Sequence, residues 1–251
     1  MRAIIQWPRA QYWDKPWNPI VGCFPCSPAC DNCYARTATV DRFGQSFDPH
    51  KTKKVCPPSS GVVFAGNMTD LFGEWRTCGD MARDINVALK QQAATFLWCT
   101  KRPRRMNAAV RYVAVDEKMG ALLGNHYFGF TAENQEWYDA RCLEMALTNA
   151  THGVNYWLSA EPLLGPIDLN RGVRGIPPFN WVAVGCESGP KRRPCRIEWI
   201  ESIVDQCRSA NVPVFVKQLD LNGKCERDIT KFPEHLRIRQ VPWAAQRQEA
   251  N

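Results

Sequence analysis

Four cysteines lie close together near the start of this 251-residue chain. Cys23, Cys26, Cys30 and Cys33 belong to a stretch, residues 18–34, that reads NPIVGCFPCSPACDNCY. Its glycine and prolines disfavour helix and strand, so we expect the thiols on a loop. Thiolates are soft ligands that hold iron–sulfur clusters or zinc. Grouped cysteines without an export signal indicate a metal or catalytic site more often than disulfides.

Three ligand sets are compatible with the spacing of these cysteines. Cys26-x3-Cys30-x2-Cys33 matches the loop of radical S-adenosylmethionine (SAM) enzymes, where three thiolates hold a [4Fe–4S] cluster and the fourth iron binds SAM. Cys23, Cys30 and Cys33 also offer three thiolates, with a longer spacing of six residues between the first two cysteines. All four together would suit a tetrahedral zinc, although structural zinc usually joins two cysteine pairs from separate loops. We favour the iron–sulfur cluster, with zinc or structural thiols as the alternatives.

Eight further cysteines are scattered singly along the chain, most of them beside apolar residues. A free cysteine in such surroundings behaves as a small hydrophobic side chain. We therefore predict that these eight are buried in or near the core. They are Cys56, Cys78, Cys99, Cys142, Cys186, Cys195, Cys207 and Cys225.

Short apolar runs alternate with helix-like stretches and predict the elements that must position the cysteines. The runs are nearly continuous, which is typical of strands buried on both faces of a parallel sheet. They cover residues 61–66, 95–100, 126–131, 154–159, 181–185 and 213–216, with a first strand expected at 17–22. Helices are predicted at 31–43, 79–94, 104–115, 134–149 and 198–210. This alternation predicts an α/β fold, a partial (β/α) barrel with six to seven parallel strands.

The composition limits the classes to which the protein can belong. Residues 1–229 are predicted to form one domain, and the polar, proline-containing stretch 230–251 to be an appendage. A 45% hydrophobic content excludes a disordered chain. No stretch approaches the roughly 18 apolar residues of a membrane span. The N-terminal residues lack the apolar core of a secretory signal, so we expect a cytoplasmic protein.

Polar side chains follow nearly every predicted strand. The carboxyl ends of barrel strands share one rim, and barrel enzymes assemble their sites there. We therefore expect these side chains in one shared site. They are Asn67, Thr69, Asp70, Lys101, Arg102, Glu133, Asn134, Glu161, Glu187, Ser188, Lys217 and Gln218.

Basic residues are concentrated just past the strand ends. Residues 101–105 and 191–196 contain four bases each, a third group lies at 51–54, and the net charge is +7. Such clusters indicate a phosphate-bearing substrate, either nucleic acid or nucleotide. A basic solvent-exposed surface is the alternative. The candidate substrate contacts are Lys101, Arg102, Lys191, Arg192 and Lys217.

Seven motifs, specific in combination, extend over residues 17–218. They read WNPIVGC (17–23), SPACDNCYA (27–35), NMTDLF (67–72), TKRPRRM (100–106), SAEPLLGPIDL (159–169), VGCESGP (184–190) and VFVKQ (214–218). Together they resemble the phage-associated three-Cys-motif proteins of phages and bacteria. That family is similar to radical SAM enzymes, with spore photoproduct lyase among its distant relatives.

The resemblance implies a partial barrel of the radical SAM type, a [4Fe–4S] cluster and SAM. It also implies a reductant such as flavodoxin or ferredoxin, and the cytoplasm of a bacterium or a phage-infected host. The family's cysteines correspond to Cys23, Cys30 and Cys33, so Cys26 is additional and is the alternative first ligand. Asn32 stands where radical SAM loops usually have an aromatic residue.

The same resemblance implies roles for the residues at the strand ends. Asn67 and Asp70 occupy the place that accepts the methionyl ammonium group of SAM, and Glu133 or Asn134 the place that binds ribose. Gly185 is expected against adenine. Two further acids, Glu161 and Glu187, are expected to bind SAM or substrate. A solvated or helix-capping role is the alternative for each polar side chain.

These expectations combine into an enzyme that cleaves SAM and abstracts hydrogen from a substrate, with nucleic acid favoured in DNA modification or repair. One alternative is a non-catalytic, zinc- or cluster-stabilised module that binds nucleic acid. Another is a radical SAM enzyme that acts on a nucleotide or peptide. The sequence assigns no catalytic residue and no membrane partner.

Overall fold

A computed structural model describes residues 5–115, 122–147, 154–171 and 179–243. They form an α/β fold around an eight-stranded, mostly parallel sheet whose strand order follows the chain. Its strands are β2 (Lys15–Trp17), β3 (Gly61–Ala65), β4 (Ala94–Thr100), β5 (His126–Thr131), β6 (Asn155–Ala160), β7 (Phe179–Gly185), β8 (Val214–Leu221) and β9 (Lys224–Glu226). A small antiparallel sheet pairs β1 (Ile5–Gln6) with β10 (Gln240–Val241).

Five α-helices are described. They are α1 (Tyr34–Thr37), α2 (Cys78–Leu89), α3 (Pro103–Ala114), α4 (Gln135–Leu147) and α5 (Ile197–Ser209). Helix α2 begins at a capping box, in which the Thr77 hydroxyl accepts the Asp80 N–H at 3.1 Å. Within the described ranges, no helix is both long and apolar enough to cross a membrane.

The chain divides into two compact units. The first unit comprises residues 13–130 and 144–155, and the second comprises 1–12, 131–143 and 156–251.

The first unit has its core along strands β2 to β5, which pair in parallel. The rings of Phe96, Trp98, His126 and Phe128 stack in this core with centroids 5.0–6.1 Å apart. Continuous burial of both strand faces explains why these segments read as uninterrupted apolar runs.

The second unit has its core on β6, β7 and β8, around Trp157 and Trp181. The ring of Tyr12 packs edge-on against Trp181, with centroids 4.9 Å apart. Trp243 is buried against the same ring at 4.7 Å. Part of the stretch expected to be an appendage therefore contributes to this core; residues 244–251 lie outside the described range.

The predicted elements agree with the structure in the centre of the sheet and differ at its edges. The strand expected at 17–22 is instead Lys15–Trp17, because Pro19 has no N–H with which to extend the pairing. Sequence analysis predicted six to seven strands and missed β9, which is three residues long and polar. The helix expected at 31–43 begins only at Tyr34 and continues as a π-helical turn, Ala38–Arg42.

Burial of the scattered cysteines is mixed. Cys142, Cys186, Cys195 and Cys207 are buried as expected. The prediction is wrong for Cys56 and Cys78, which are exposed, while Cys99 and Cys225 are half-buried.

Candidate functional site

The cysteine loop is anchored to the turn that follows β3. Gly22 has φ +141°, and a Cβ there would lie 2.5 Å from the backbone of Asp48, so only glycine fits. The Gly22 N–H donates to the carbonyl of Met68 at 3.1 Å, and the Thr69 hydroxyl donates to the Gly22 carbonyl. These bonds fix the start of the loop beside residues 66–70.

Asn67 is held in the same place by two residues of the cysteine segment. The Nδ2 of Asn18 donates to Oδ1 of Asn67 at 2.7 Å, and the Tyr34 hydroxyl donates to the Asn67 carbonyl. The N–H of Met68 donates back to Oδ1 of Asn18 at 3.0 Å. These contacts place Asn67 beside the cysteine segment, and its binding of SAM stays a prediction.

All four loop thiols are half-buried free cysteines. The thiol of Cys26 donates a hydrogen bond to Cys30, which lowers the pKa of Cys30 to about 4; Lys101 nearby acts in the same direction. Burial, together with the charge of Asp70, raises the pKa of Cys23 to about 12. Cys23 also interacts electrostatically with Cys30. Cys30 thus interacts with both Cys23 and Cys26.

The side chains in the described ranges contain no group of three or more His, Cys, Asp or Glu residues arranged to hold a metal ion. The thiol of Cys23 instead donates to the Phe24 carbonyl at 3.4 Å, and the Cys30 sulfur lies 3.9 Å from the Ser27 hydroxyl. Rotation of a cysteine about its first side-chain bond moves the sulfur between staggered positions without moving the loop. The donors fit a three-thiolate site by type, exposure and spacing, and metal binding requires that they rotate and lose their protons.

Asp70 and Arg102 form a buried ion pair beneath the loop. Nη1 of Arg102 donates to Oδ2 of Asp70 at 3.0 Å, and Nη2 donates to the carbonyl of Phe24 at 3.1 Å. Asp70 also accepts the Thr100 hydroxyl at 2.7 Å and the Lys101 N–H at 3.1 Å. The carboxylate therefore organises the loop, and this placement favours a structural role for Arg102 over the predicted substrate contact.

Trp75 and Phe24 bring aromatic rings to the same place. Their rings meet edge-on with centroids 5.2 Å apart, and the Arg102 guanidinium lies 5.1 Å from the Trp75 centroid. Within the described part of the chain, Nε1 of Trp75 is buried without a hydrogen-bond partner. An indole N–H in that position can donate to a sulfur or carboxylate ligand.

In the second unit, Glu133 follows β5 and is fully buried. Its Oε2 accepts Nη1 of Arg141 at 2.6 Å, and Arg141 also donates to the Thr131 carbonyl at 2.7 Å. Among the described residues, Oε1 of Glu133 has no hydrogen-bond partner. Buried carboxylate oxygens are normally satisfied, so this atom can accept a ligand hydroxyl.

Asn134 has the helix-capping role that was the alternative to ligand binding. Its Oδ1 accepts the N–H of Trp137 at 3.1 Å, immediately before α4 begins. Asn134 therefore caps this helix. Glu133, its neighbour, is the better candidate for binding ribose.

A polar cluster joins the carboxyl end of β6 to the middle of β8, because β8 extends past the predicted end of that strand at residue 216. Oε2 of Glu161 accepts the Tyr12 hydroxyl at 2.8 Å, and Oε1 of Glu161 lies 3.1 Å from Nζ of Lys217. A Cβ on Gly185 would lie 3.4 Å from the same Oε1, so glycine leaves the carboxylate room there. Glu161, Gly185 and Lys217 are brought together as predicted, and Tyr12 joins them.

The basic run at residues 191–196 forms ion pairs with acids of the second unit. Glu187 accepts two bonds from the Arg193 guanidinium, at 2.6 and 3.0 Å, and Arg192 pairs with Asp220 at 2.8 Å. Ion pairs of this kind reduce the charge available to a phosphate. The structure therefore favours a role in loop packing for Glu187 and Arg192, while Lys191 is exposed.

The family described as "Protein of unknown function (DUF5131)" matches residues 8–238. The chain belongs to the DUF5131 family. No curated protein and no solved structure matches it.

Three contributors to the sites of this DUF5131 protein were not among the residues predicted from its sequence. Tyr12 lies 149 residues from Glu161 in the chain, and no local pattern connects the two. Trp75 and Arg141 lie outside the strand ends on which the predictions concentrated. The only sequence signal for Arg141 is its position eight residues after Glu133 on an adjoining helix.

Proposed function

We propose that this DUF5131 protein is a radical SAM enzyme that acts on nucleic acid. Cys30 and Cys33, with Cys23 or alternatively Cys26, hold a [4Fe–4S] cluster in this proposal. The observation that carries it is a loop with four half-buried thiols, three of them interacting, fixed beside the turn after β3. A partial barrel of the radical SAM type belongs to the same proposal, supported by the mostly parallel sheet.

A [4Fe–4S] cluster held by these cysteines would supply the electron for reductive cleavage of SAM. The chain's own residues prepare that chemistry. Lys101 offsets the negative charge of the thiolates, with which it already interacts electrostatically. Trp75 shields one side of the loop from water, and its indole N–H donates to a sulfur or carboxylate.

In this proposal, ligand binding is divided among residues with distinct surroundings. Asn67 accepts the ammonium group of SAM, because its carbonyl and amide are already fixed beside the loop. In the second unit, Glu133 offers its unpartnered Oε1 to a ligand hydroxyl. Glu161 and Lys217 form an ion pair that meets SAM or substrate in the second unit, with Tyr12 orienting the carboxylate.

Anaerobic reconstitution with iron, sulfide and SAM tests the proposal. We expect about four irons per chain and release of 5′-deoxyadenosine after reduction. Cys23→Ala and Cys26→Ala, made separately, identify the first ligand, because only loss of a true ligand removes the cluster. Cys56→Ala is the matched control, since Cys56 is exposed and outside the loop. One tightly bound zinc with no SAM cleavage would refute the proposal.

The substrate class is tested by DNA binding at several salt concentrations. The net charge of +7 and the exposed Lys51, Lys53 and Lys54 support nucleic acid. Replacing these three lysines with glutamine should reduce the log–log salt slope by roughly one per lysine that contacts a phosphate. Binding that does not change with salt would exclude nucleic acid and favour a small nucleotide or peptide substrate.

A further inference from the structure

Outside the cysteine loop, the second unit brings cysteines from separate segments together. Cys186 follows β7 directly, and its N–H donates to the Gln218 carbonyl of β8 at 3.2 Å. Cys225 is the central residue of β9 and pairs with Asp220 of β8 in the antiparallel register. Strand β8 thus places both cysteines against one short segment, 218–220.

The two cysteines approach the same segment of β8 but differ in access to solvent. Each thiol shifts the pKa of the other, and both are free cysteines. Cys186 is 2% exposed, whereas Cys225 is half-buried and can be reached from solvent. A reagent therefore meets Cys225 first.

The charges around the pair favour a thiolate at Cys225. Its pKa is lowered because the sulfur accepts the hydrogen bond from Cys186, and because Arg227 and Arg192 lie close by. The same hydrogen bond, together with burial, raises the pKa of Cys186. Asp220 faces the pair with negative charge but is itself paired with Arg192 at 2.8 Å. One thiol is thus prepared to attack, and the other retains its proton.

We propose that Cys225 and Cys186 form a redox-active dithiol site, which takes low-molecular-weight disulfides such as oxidised glutathione. The Cys225 thiolate attacks one sulfur of the reagent, so that a mixed disulfide forms and one glutathione thiolate leaves. Cys186 then loses its proton to solvent and attacks the Cys225 sulfur, and the second glutathione leaves. The protein dithiol is oxidised by two electrons and one glutathione disulfide is reduced to two thiols. The inference is independent of the proposed SAM chemistry.

The full-length, fully reduced protein is incubated with oxidised glutathione at neutral pH and mapped by mass spectrometry of non-reduced peptides. We expect a peptide in which Cys186 is linked to Cys225. Cys186→Ser should trap glutathione on Cys225, with a yield at least about tenfold above that at the buried Cys207. Cys225→Ser should abolish both products, and Cys207→Ser should change neither.

Measurement on the unmodified chain keeps the inference testable if a variant fails to fold. Glutathione found only on the exposed Cys56 or Cys78, with Cys225 unmodified, would overturn it. A mixed disulfide that persists on Cys225 of the unmodified chain would equally exclude Cys186 as the resolving thiol. Because each product is assigned by peptide, reactions of the cysteine loop do not affect the result.

Discussion

Asp70→Asn separates an organising role for Asp70 from the predicted binding of SAM. The carboxylate is 6% exposed and accepts donors from Thr100, Lys101 and Arg102. Its charge compensates for the buried guanidinium, 3.0 Å away. At an effective dielectric constant of about 20, two unit charges at that distance attract by roughly 5 kcal/mol. Breaking such a buried pair from one side typically costs about 3–5 kcal/mol.

We therefore expect Asp70→Asn to lower the free energy of unfolding by about 3 kcal/mol, which is roughly 6–12 °C in Tm for a chain of this size. Thermal and urea unfolding followed by circular dichroism measure this change. Glu74→Gln is the matched control, because Glu74 contacts the same guanidinium at 2.5 Å but its side chain is 63% exposed. A partner this exposed contributes less than about 1 kcal/mol.

Two results would refute this reasoning. Equal losses of stability in the two variants would mean that burial of Asp70 does not matter. An Asp70→Asn protein that unfolds like the parent but no longer binds SAM would show that Asp70 contacts SAM directly, as the family resemblance implies.

Three further predictions concern separate parts of the molecule. Gly22→Ala should cost about 2 kcal/mol in urea unfolding, because φ is +141° and a Cβ would contact backbone at 2.5 Å. Gly44→Ala, where nothing lies within 4 Å, should cost less. Burial lowers the pKa of His126 from 6.5 to about 3. Between these two pH values only the unfolded chain binds the proton, so the free energy of unfolding falls as the pH drops. From about pH 7 to 5 the loss should be about 2 kcal/mol, and it should be absent in His126→Gln. Trp243→Ala should cost about 3–5 kcal/mol in the same unfolding assay, because the ring is buried against its neighbours, whereas Tyr112→Ala, at an exposed ring, should cost little.

The central strands could be predicted from sequence because burial on both faces leaves a continuous apolar run. GVVFA of β3 and ATFLWCT of β4 are such runs. Strand β9 was missed because its lysine–cysteine–glutamate sequence lacks hydrophobicity. The signal that could have found it is Asn222-Gly223, a two-residue hairpin turn in which both residues have positive φ.

The placement of residues was easier to predict than their contacts. Asn67 and Asp70 lie beside the cysteine loop because they follow a strand next to it, which is a consequence of chain order. The Asp70 carboxylate accepts hydrogen bonds from the side chains of Thr100 and Arg102. The orientation of those side chains could not be predicted from the spacing of residues in the sequence. For the same reason, the basic run at 191–196 led to a prediction of charge available to a phosphate. In the structure, Arg192 and Arg193 of this run are instead paired with acids.

The two outer strands of the large sheet bear on how the protein meets other chains. Strand β2 is three residues long and contains Pro16, which has no N–H to donate. Strand β9 is also three residues long and presents Lys224 and Glu226. Short, charged or proline-containing margins resist strand addition and edge-to-edge aggregation. A partner that recognises this protein therefore gains little by extending its sheet.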